Sequence, residues 1–156
     1  MGHVYGTAEG APAHLAALLG PGRRTRSTLP LMIAKLQCVV LDCSDVRELS
    51  RFYLALLGGT VDRPDPRWSL GDSWSTLHTD SGLVLAFQRV EDHRPPRWPD
   101  AAHPQQFHLD LGVTDLDLAQ EQVLGLGASL LDAGDGTRGW RIYADPAGHP
   151  FCLVGD

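Results

Sequence analysis

The sequence predicts an α+β domain: two successive βαβββ modules whose curved sheets enclose a cup, with one helix behind each sheet. Three observations carry that reading. Leu41-Asp42-Cys43-Ser44-Asp45-Val46 and Leu111-Gly112-Val113-Thr114-Asp115-Leu116 share one pattern: strand end, polar turn, capping aspartate, apolar residue opening a helix. Each helix then stops at glycine and is followed by three short strand-like runs. The pattern recurs after about 70 residues, too long a period for a solenoid and suited to an internally duplicated domain.

Residues 1–31 are rich in Ala, Gly, Pro and Arg, and beyond a Leu15/Leu18/Leu19 cluster they lack periodicity. They read as a disordered or loosely attached extension, with the domain itself spanning 32–156 from Met32 onward. Leu36-Gln37-Cys38-Val39-Val40-Leu41 reads as a buried strand, rich in branched residues. Asp45 followed by Glu48 forms a capping-box-like pair, and Val46, Leu49, Phe52/Tyr53 and Leu56 share a helical face. Gly58-Gly59 ends the helix. Strands are then expected over 59–63, 73–78 and 83–89, separated by Asp65-Pro66 and Asp80-Ser81-Gly82. Module one thus covers about 35–89.

A linking loop over 90–104 precedes module two, at about 105–155. Phe107-His108-Leu109-Asp110-Leu111 is read as its first strand, with Leu116, Ala119, Val123 and Leu126 marking the apolar face of its helix. Gly127 stops that helix, and strands are expected over 128–131, 138–144 and 151–154. Alternation within the strands assigns faces. Phe107, Leu109 and Leu111 face a helix, leaving His108 and Asp110 toward the cup; Phe151 and Leu153 likewise leave Cys152 toward it.

Charge narrows the partners. Net charge is −6, and residues before Met32 carry +2, which leaves −8 on the domain. A body so acidic repels phosphate backbones, so no nucleic-acid partner is expected. No run is long and apolar enough to span a bilayer, and no membrane partner is expected either. Neither Leu15 to Leu19 nor the segment after Arg23-Arg24 makes an export signal. Three cysteines, odd in number and placed in strands or at strand ends, do not make a disulfide framework. They fit a reducing compartment, and the expected location is the cytoplasm.

Arg51-Phe52-Tyr53-Leu54-Ala55-Leu56-Leu57-Gly58 is similar to an "FY…LLG" helix signature, and Asp145-Pro146-Ala147-Gly148-His149-Pro150-Phe151 to a "DP-x-G-[NH]-x-[FL]" turn. With Leu85-Ala86-Phe87-Gln88 and Phe107-His108-Leu109-Asp110-Leu111, in that order and spacing, the chain resembles the glyoxalase/bleomycin-resistance/dioxygenase (vicinal-oxygen-chelate) superfamily, in its bacterial glyoxalase-like subgroup. The resemblance covers roughly Lys35 to Val154. It implies a cup between the modules, with metal ligands in many members supplied by the first and fourth strands, and homodimers as a common assembly. At those four positions this sequence has Cys38, His108, Cys152 and Ala86, with Gln88 on the same face as Ala86. Only His108 is a usual ligand.

No cofactor is therefore expected. If a metal is held, the resemblance places it at Cys38, His108 and Cys152, a soft set suited to a divalent ion such as zinc. The competing reading is two small buried cysteines beside a hydrogen-bonded histidine. His108 and Asp110 suit ligand hydrogen bonding or acid–base work, with Gln88 as a further donor and acceptor. Trp98 is expected to roof the cup from the proline-stiffened loop, while Trp68, Trp74 and Trp140 add flat apolar surface. His78, His93, His103 and His149 read as surface or turn residues, and Asp42 as structural. The expected function is a homodimeric protein holding an apolar or aromatic small molecule. The alternative is a lyase/isomerase or dioxygenase-type enzyme, metal-dependent or using His108 and Asp110.

Overall fold

The structure, a computed structural model, describes residues 33–64 and 71–155. The extension over 1–31, the start at Met32, the Asp65-Pro66 break and Trp68 lie outside the described residues. All ten elements fall within the compact unit Leu36–Asp156.

Module one runs β1 (Val39–Cys43), α1 (Val46–Leu57), β2 (Thr60–Val61), β3 (Trp74–His78) and β4 (Val84–Arg89). Module two repeats it as β5 (Leu109–Val113), α2 (Leu116–Gly125), β6 (Ser129–Asp132), β7 (Trp140–Ala144) and β8 (Pro150–Gly155). The sheets have matching orders, β1-β4-β3-β2 and β5-β8-β7-β6, with the first strand of each parallel to the last and all other pairs antiparallel. A parallel first pair requires a crossover, and the helix supplies it. The duplication read from the sequence is therefore a duplication of topology.

Both helices open on an aspartate cap. Asp45 accepts from the Arg47 and Glu48 amides at 2.9 and 3.0 Å, and Asp115 from the Asp117 and Leu118 amides at 3.0 and 2.9 Å. Each satisfies two of the four amides that a helix start leaves unpaired. After α1 the chain turns on Gly58 and Gly59, both at positive φ. A Cβ on Gly59 would strike the His78 carbonyl oxygen, so that position requires glycine.

Helix α1 packs on β2, β3 and β4, and α2 on β8. The two halves share one apolar core. Phe52 of α1 meets Phe151 of β8 edge-on at 5.9 Å, Tyr53 stacks on Phe87 at 5.7 Å, and Tyr143 stacks on Phe151 at 5.5 Å. Tyr53 also donates its hydroxyl to Asp145 across the module boundary at 2.9 Å, deep in the interior.

Both first strands lie later than the sequence expectation, at 39–43 where 36–41 was expected and at 109–113 where 107–111 was expected. Leu36, read as buried, is exposed. The reason is the parallel partner: β4 carries the ladder through Asp42↔Gln88 and Cys43↔Arg89, and β8 through Gly112↔Val154 and Val113↔Gly155. Residues that look like turn formers are thereby paired in a sheet. Phe107 consequently precedes β5 and is exposed, as is Leu126, which caps α2 instead of lining its buried face. Asp42 is a mid-strand residue.

Candidate functional site

Each sheet turns one face to the helices and the other away from them, an open face on which Thr76, Ala86 and Cys152 are nevertheless buried. In β5 the buried-side residues are Leu109, Leu111 and Val113, and in β8 they are Phe151 and Leu153. Strand alternation then turns Asp110 and Cys152 to the open face, where they are register partners, with Ile142 of β7 paired to Cys152 on its other side. His108 sits just before β5, and its Nε2 lies 3.4 Å from Asp110 Oδ1. The potential ligand atoms of His108, Asp110 and Cys152 all lie within 4.8 Å of one another, the one such three-membered group among the described residues.

Exposure is graded across this cluster. The His108 and Asp110 side chains are 43% and 56% exposed, while Cys152 is buried. Burial pushes the Cys152 thiol up to about 12, and the adjacent Asp110 carboxylate adds to that; Arg138 opposes it. Cys152 is thus a protonated thiol at neutral pH, a weak donor beside a carboxylate and an imidazole. Around the cluster the open face mixes apolar and charged groups: Ile142, partnered on β6 by Asp132, and, paired to Val154, the exposed Trp140. Arg138 lies over the Trp140 ring at 5.4 Å and pairs with Asp132.

The first sheet presents the counterpart face with different chemistry. There Val40 and Ala86 are register partners at the places where module two has Asp110 and Cys152. Gln88 is exposed next to Trp74, its partner on β3, and the Trp74 indole nitrogen is a buried donor with no acceptor among the described residues. Cys38 precedes β1, is half-buried, and has its thiol raised by burial. It is not a member of the three-residue cluster, whose third ligand atom comes from Asp110. Trp98 lines a small hollow of about 170 Å³ formed by the linker's own residues, among them Pro99, Asp100 and Pro104.

Two histidines read from the sequence as surface or turn residues hold the modules and the linker together. His149 donates from Nε2 to the Asp42 carbonyl at 2.7 Å, and His93 from Nε2 to the Ala147 carbonyl at 2.8 Å. No spacing in the sequence signals either contact. Asp145 organises the turn between them, accepting from the Ala147 and His149 amides at 2.9 Å each and from Tyr53. Burial holds the Asp145 carboxyl above the ordinary range.

As a metal set, one imidazole, one carboxylate and one protonated thiol suit manganese poorly, since that ion favours hard oxygen ligands. Zinc takes all three donor types, and in composition the cluster fits it.

Comparison with known proteins agrees with this architecture. A family model described as a glyoxalase-like domain matches residues 38–154. No curated protein matches the sequence. Among solved structures, a hypothetical protein from S. aureus aligns with TM-score 0.58 and 18% identity, covering 80% of this chain and 100% of that one. A glyoxalase/bleomycin resistance protein/dioxygenase family enzyme from Burkholderia phytofirmans PsJN aligns with TM-score 0.58 and 18% identity, covering 78% and 98%. A mutant of the fosfomycin resistance protein FosX from Listeria monocytogenes, complexed with Mn(II) and 1S,2S-dihydroxypropylphosphonic acid, aligns with TM-score 0.59 and 16% identity, covering 80% and 94%. At these identities the likeness is one of fold. Matched over most of its length by that model, the chain belongs to the glyoxalase-like domain family.

Proposed function

We propose that the protein binds a small molecule with an apolar or aromatic body on its open faces, anchored by His108 and Asp110. The observation that carries this reading is a polar cluster, His108, Asp110 and Cys152, beside the apolar side chains of Trp140 and Ile142. Few convergent polar groups on an apolar wall is the usual composition of a small-molecule site. The imidazole and carboxylate fix a ligand's polar end, and Trp140 offers a flat surface to its body. Gln88 and the unsatisfied Trp74 indole donor extend the polar provision onto the first sheet. Cys152 enters as a protonated thiol, and Cys38 and Trp98 act at the periphery.

The second reading is an enzyme, and the three-atom cluster favours it. Zinc held by His108, Asp110 and Cys152 would supply Lewis-acid polarisation of a ligand oxygen. Binding it requires loss of the Cys152 proton, which the raised thiol resists. The binding reading is preferred because, of the four positions that the resemblance names, only His108 carries a usual ligand. A metal-free lyase/isomerase would rely on His108 and Asp110 for proton transfer.

Native mass spectrometry with elemental analysis of wild type and His108→Ala separates the two: a copurified organic molecule is the expected result, and stoichiometric metal that is lost in His108→Ala would favour the enzyme. Anilinonaphthalene sulfonate, a planar apolar probe, is expected to bind wild type about tenfold more tightly than His108→Ala, a difference of about 1.4 kcal/mol. Equal affinity in two proteins with the same circular dichroism removes His108 from the site.

The protein is further proposed to act as a homodimer in a reducing compartment such as the cytoplasm. Exposed Leu118, Leu124, Leu126, Leu130 and Leu131 concentrate on α2 and β6 and offer apolar area to a second copy. Light scattering at micromolar concentration tests it, and a monomer rejects it.

A further inference from the structure

The cleft between the linker and the end of β1 has a volume of about 390 Å³ and shares no residue with the His108 cluster. His93, His103 and His149 stand on its wall with Asp42, Asp92 and Arg94. Carbonyl oxygens only accept hydrogen bonds, so the contacts of His93 with Ala147 and of His149 with Asp42 fix both tautomers. Each ring thus carries a proton on Nε2, and in the neutral form its Nδ1 holds the lone pair; no hydrogen bond to either Nδ1 is found among the described residues. An imidazole that donates one N–H to a main-chain carbonyl and aims its other nitrogen outward has the arrangement typical of metal-binding histidine.

The spacing of the rings agrees. Two imidazoles bound to one tetrahedral ion at about 2.1 Å have centroids about 5 Å apart. The His93 and His149 centroids are 5.5 Å apart, with the planes tilted by 46°. The scaffold under the pair is fixed from three directions. Asp145 holds the His149 amide, Asp42 holds its ring, and Gly148 lets Pro95 of the linker rest where a Cβ would stand. The geometry points to a two-histidine site for a divalent transition ion at His93 Nδ1 and His149 Nδ1, its remaining positions filled by water. The site is independent of the small-molecule reading and bridges the linker to module two.

Zinc titration of the full chain by calorimetry tests it, with His93→Gln, His149→Gln and His108→Ala alongside. Glutamine keeps an N–H for the carbonyl but has no lone pair in place of Nδ1, and thermal melting without metal checks that each variant folds. The expected result is one zinc per chain, weakened at least about tenfold in each glutamine variant and unchanged in His108→Ala. Cobalt(II) should bind wild type without a thiolate charge-transfer band. Absence of zinc binding overturns the site, as does binding that survives both glutamine variants. Binding lost in His108→Ala, or a thiolate band with cobalt, overturns it in favour of the Cys152 cluster. If a glutamine variant fails to fold, Gly148→Val, which drives Pro95 and the linker away from the turn, replaces it; zinc affinity unchanged there also overturns the site.

Discussion

Tyr53 and Asp145 form a buried hydrogen bond from the first helix to the last turn, and each leans on the other. The hydroxyl would be an unsatisfied donor in the core without the carboxylate, and Asp145 would lose one of three donors without it. Tyr53→Phe keeps the ring stack on Phe87 and removes only the hydroxyl, so a loss of about 1–3 kcal/mol is expected, read from the urea midpoint. A loss below a few tenths would show that water replaces the bond. Cys152 gives a second prediction at this scale. With its thiol near 12, against 9.0 for an unperturbed one, its thiolate fraction at pH 8 is about a thousandfold lower. Iodoacetamide labelling followed by peptide mass spectrometry should show Cys152 reacting far more slowly in the native protein than after denaturation.

The helix caps act at the scale of elements. Amide hydrogen bonds from Glu48 and Arg47 hold the Asp45 carboxyl below its ordinary 3.8. The sign follows from linkage: a carboxylate with a depressed folded value contributes stability that is full above 3.8 and is lost as pH falls through the folded value. Asp45→Ala is expected to cost about 1 kcal/mol at pH 7, with the difference from wild type shrinking below pH 4. A constant difference across pH 3–7 would contradict the cap. Gly59→Ala is a harsher test, because a positive φ and the His78 carbonyl both oppose a side chain. A loss of about 1–3 kcal/mol is expected from the backbone conformation alone, and the steric clash adds to it in thermal unfolding. The helices and their caps were legible in the sequence because an aspartate, an apolar period and a terminal glycine are local signals. The first-strand boundaries were not. Asp42 and Gly112 look like turn residues locally, and only the parallel partner far along the chain draws them into a ladder.

Across the whole molecule, one core joins both modules through Phe52 and Phe151. Phe151→Ala is expected to cost about 3–5 kcal/mol and to leave unfolding a single transition by near- and far-ultraviolet dichroism. Two separated transitions would show that the modules are independent. The same scale explains what was legible of the site. Strand alternation placed His108, Asp110 and Cys152 on one face, because period two is a local property. It could not show that Asp110 stands with the other two where Cys38 does not. Nor could it reveal the His149 contact with Asp42, which spans 107 residues and depends on how the halves dock.

The register match between the halves has an experimental consequence. Val40 and Ala86 occupy the places that Asp110 and Cys152 fill in module two, so the protein contains its own near-blank: the same backbone frame with apolar residues at two of the three places and Cys38 at the third. Converting Cys38, Val40 and Ala86 to histidine, aspartate and cysteine would write the cluster a second time on an unaltered scaffold. Conversely, erasing it from module two would leave twin inert surfaces. Any property that doubles in the first protein and vanishes in the second belongs to those three side chains and not to the frame that carries them.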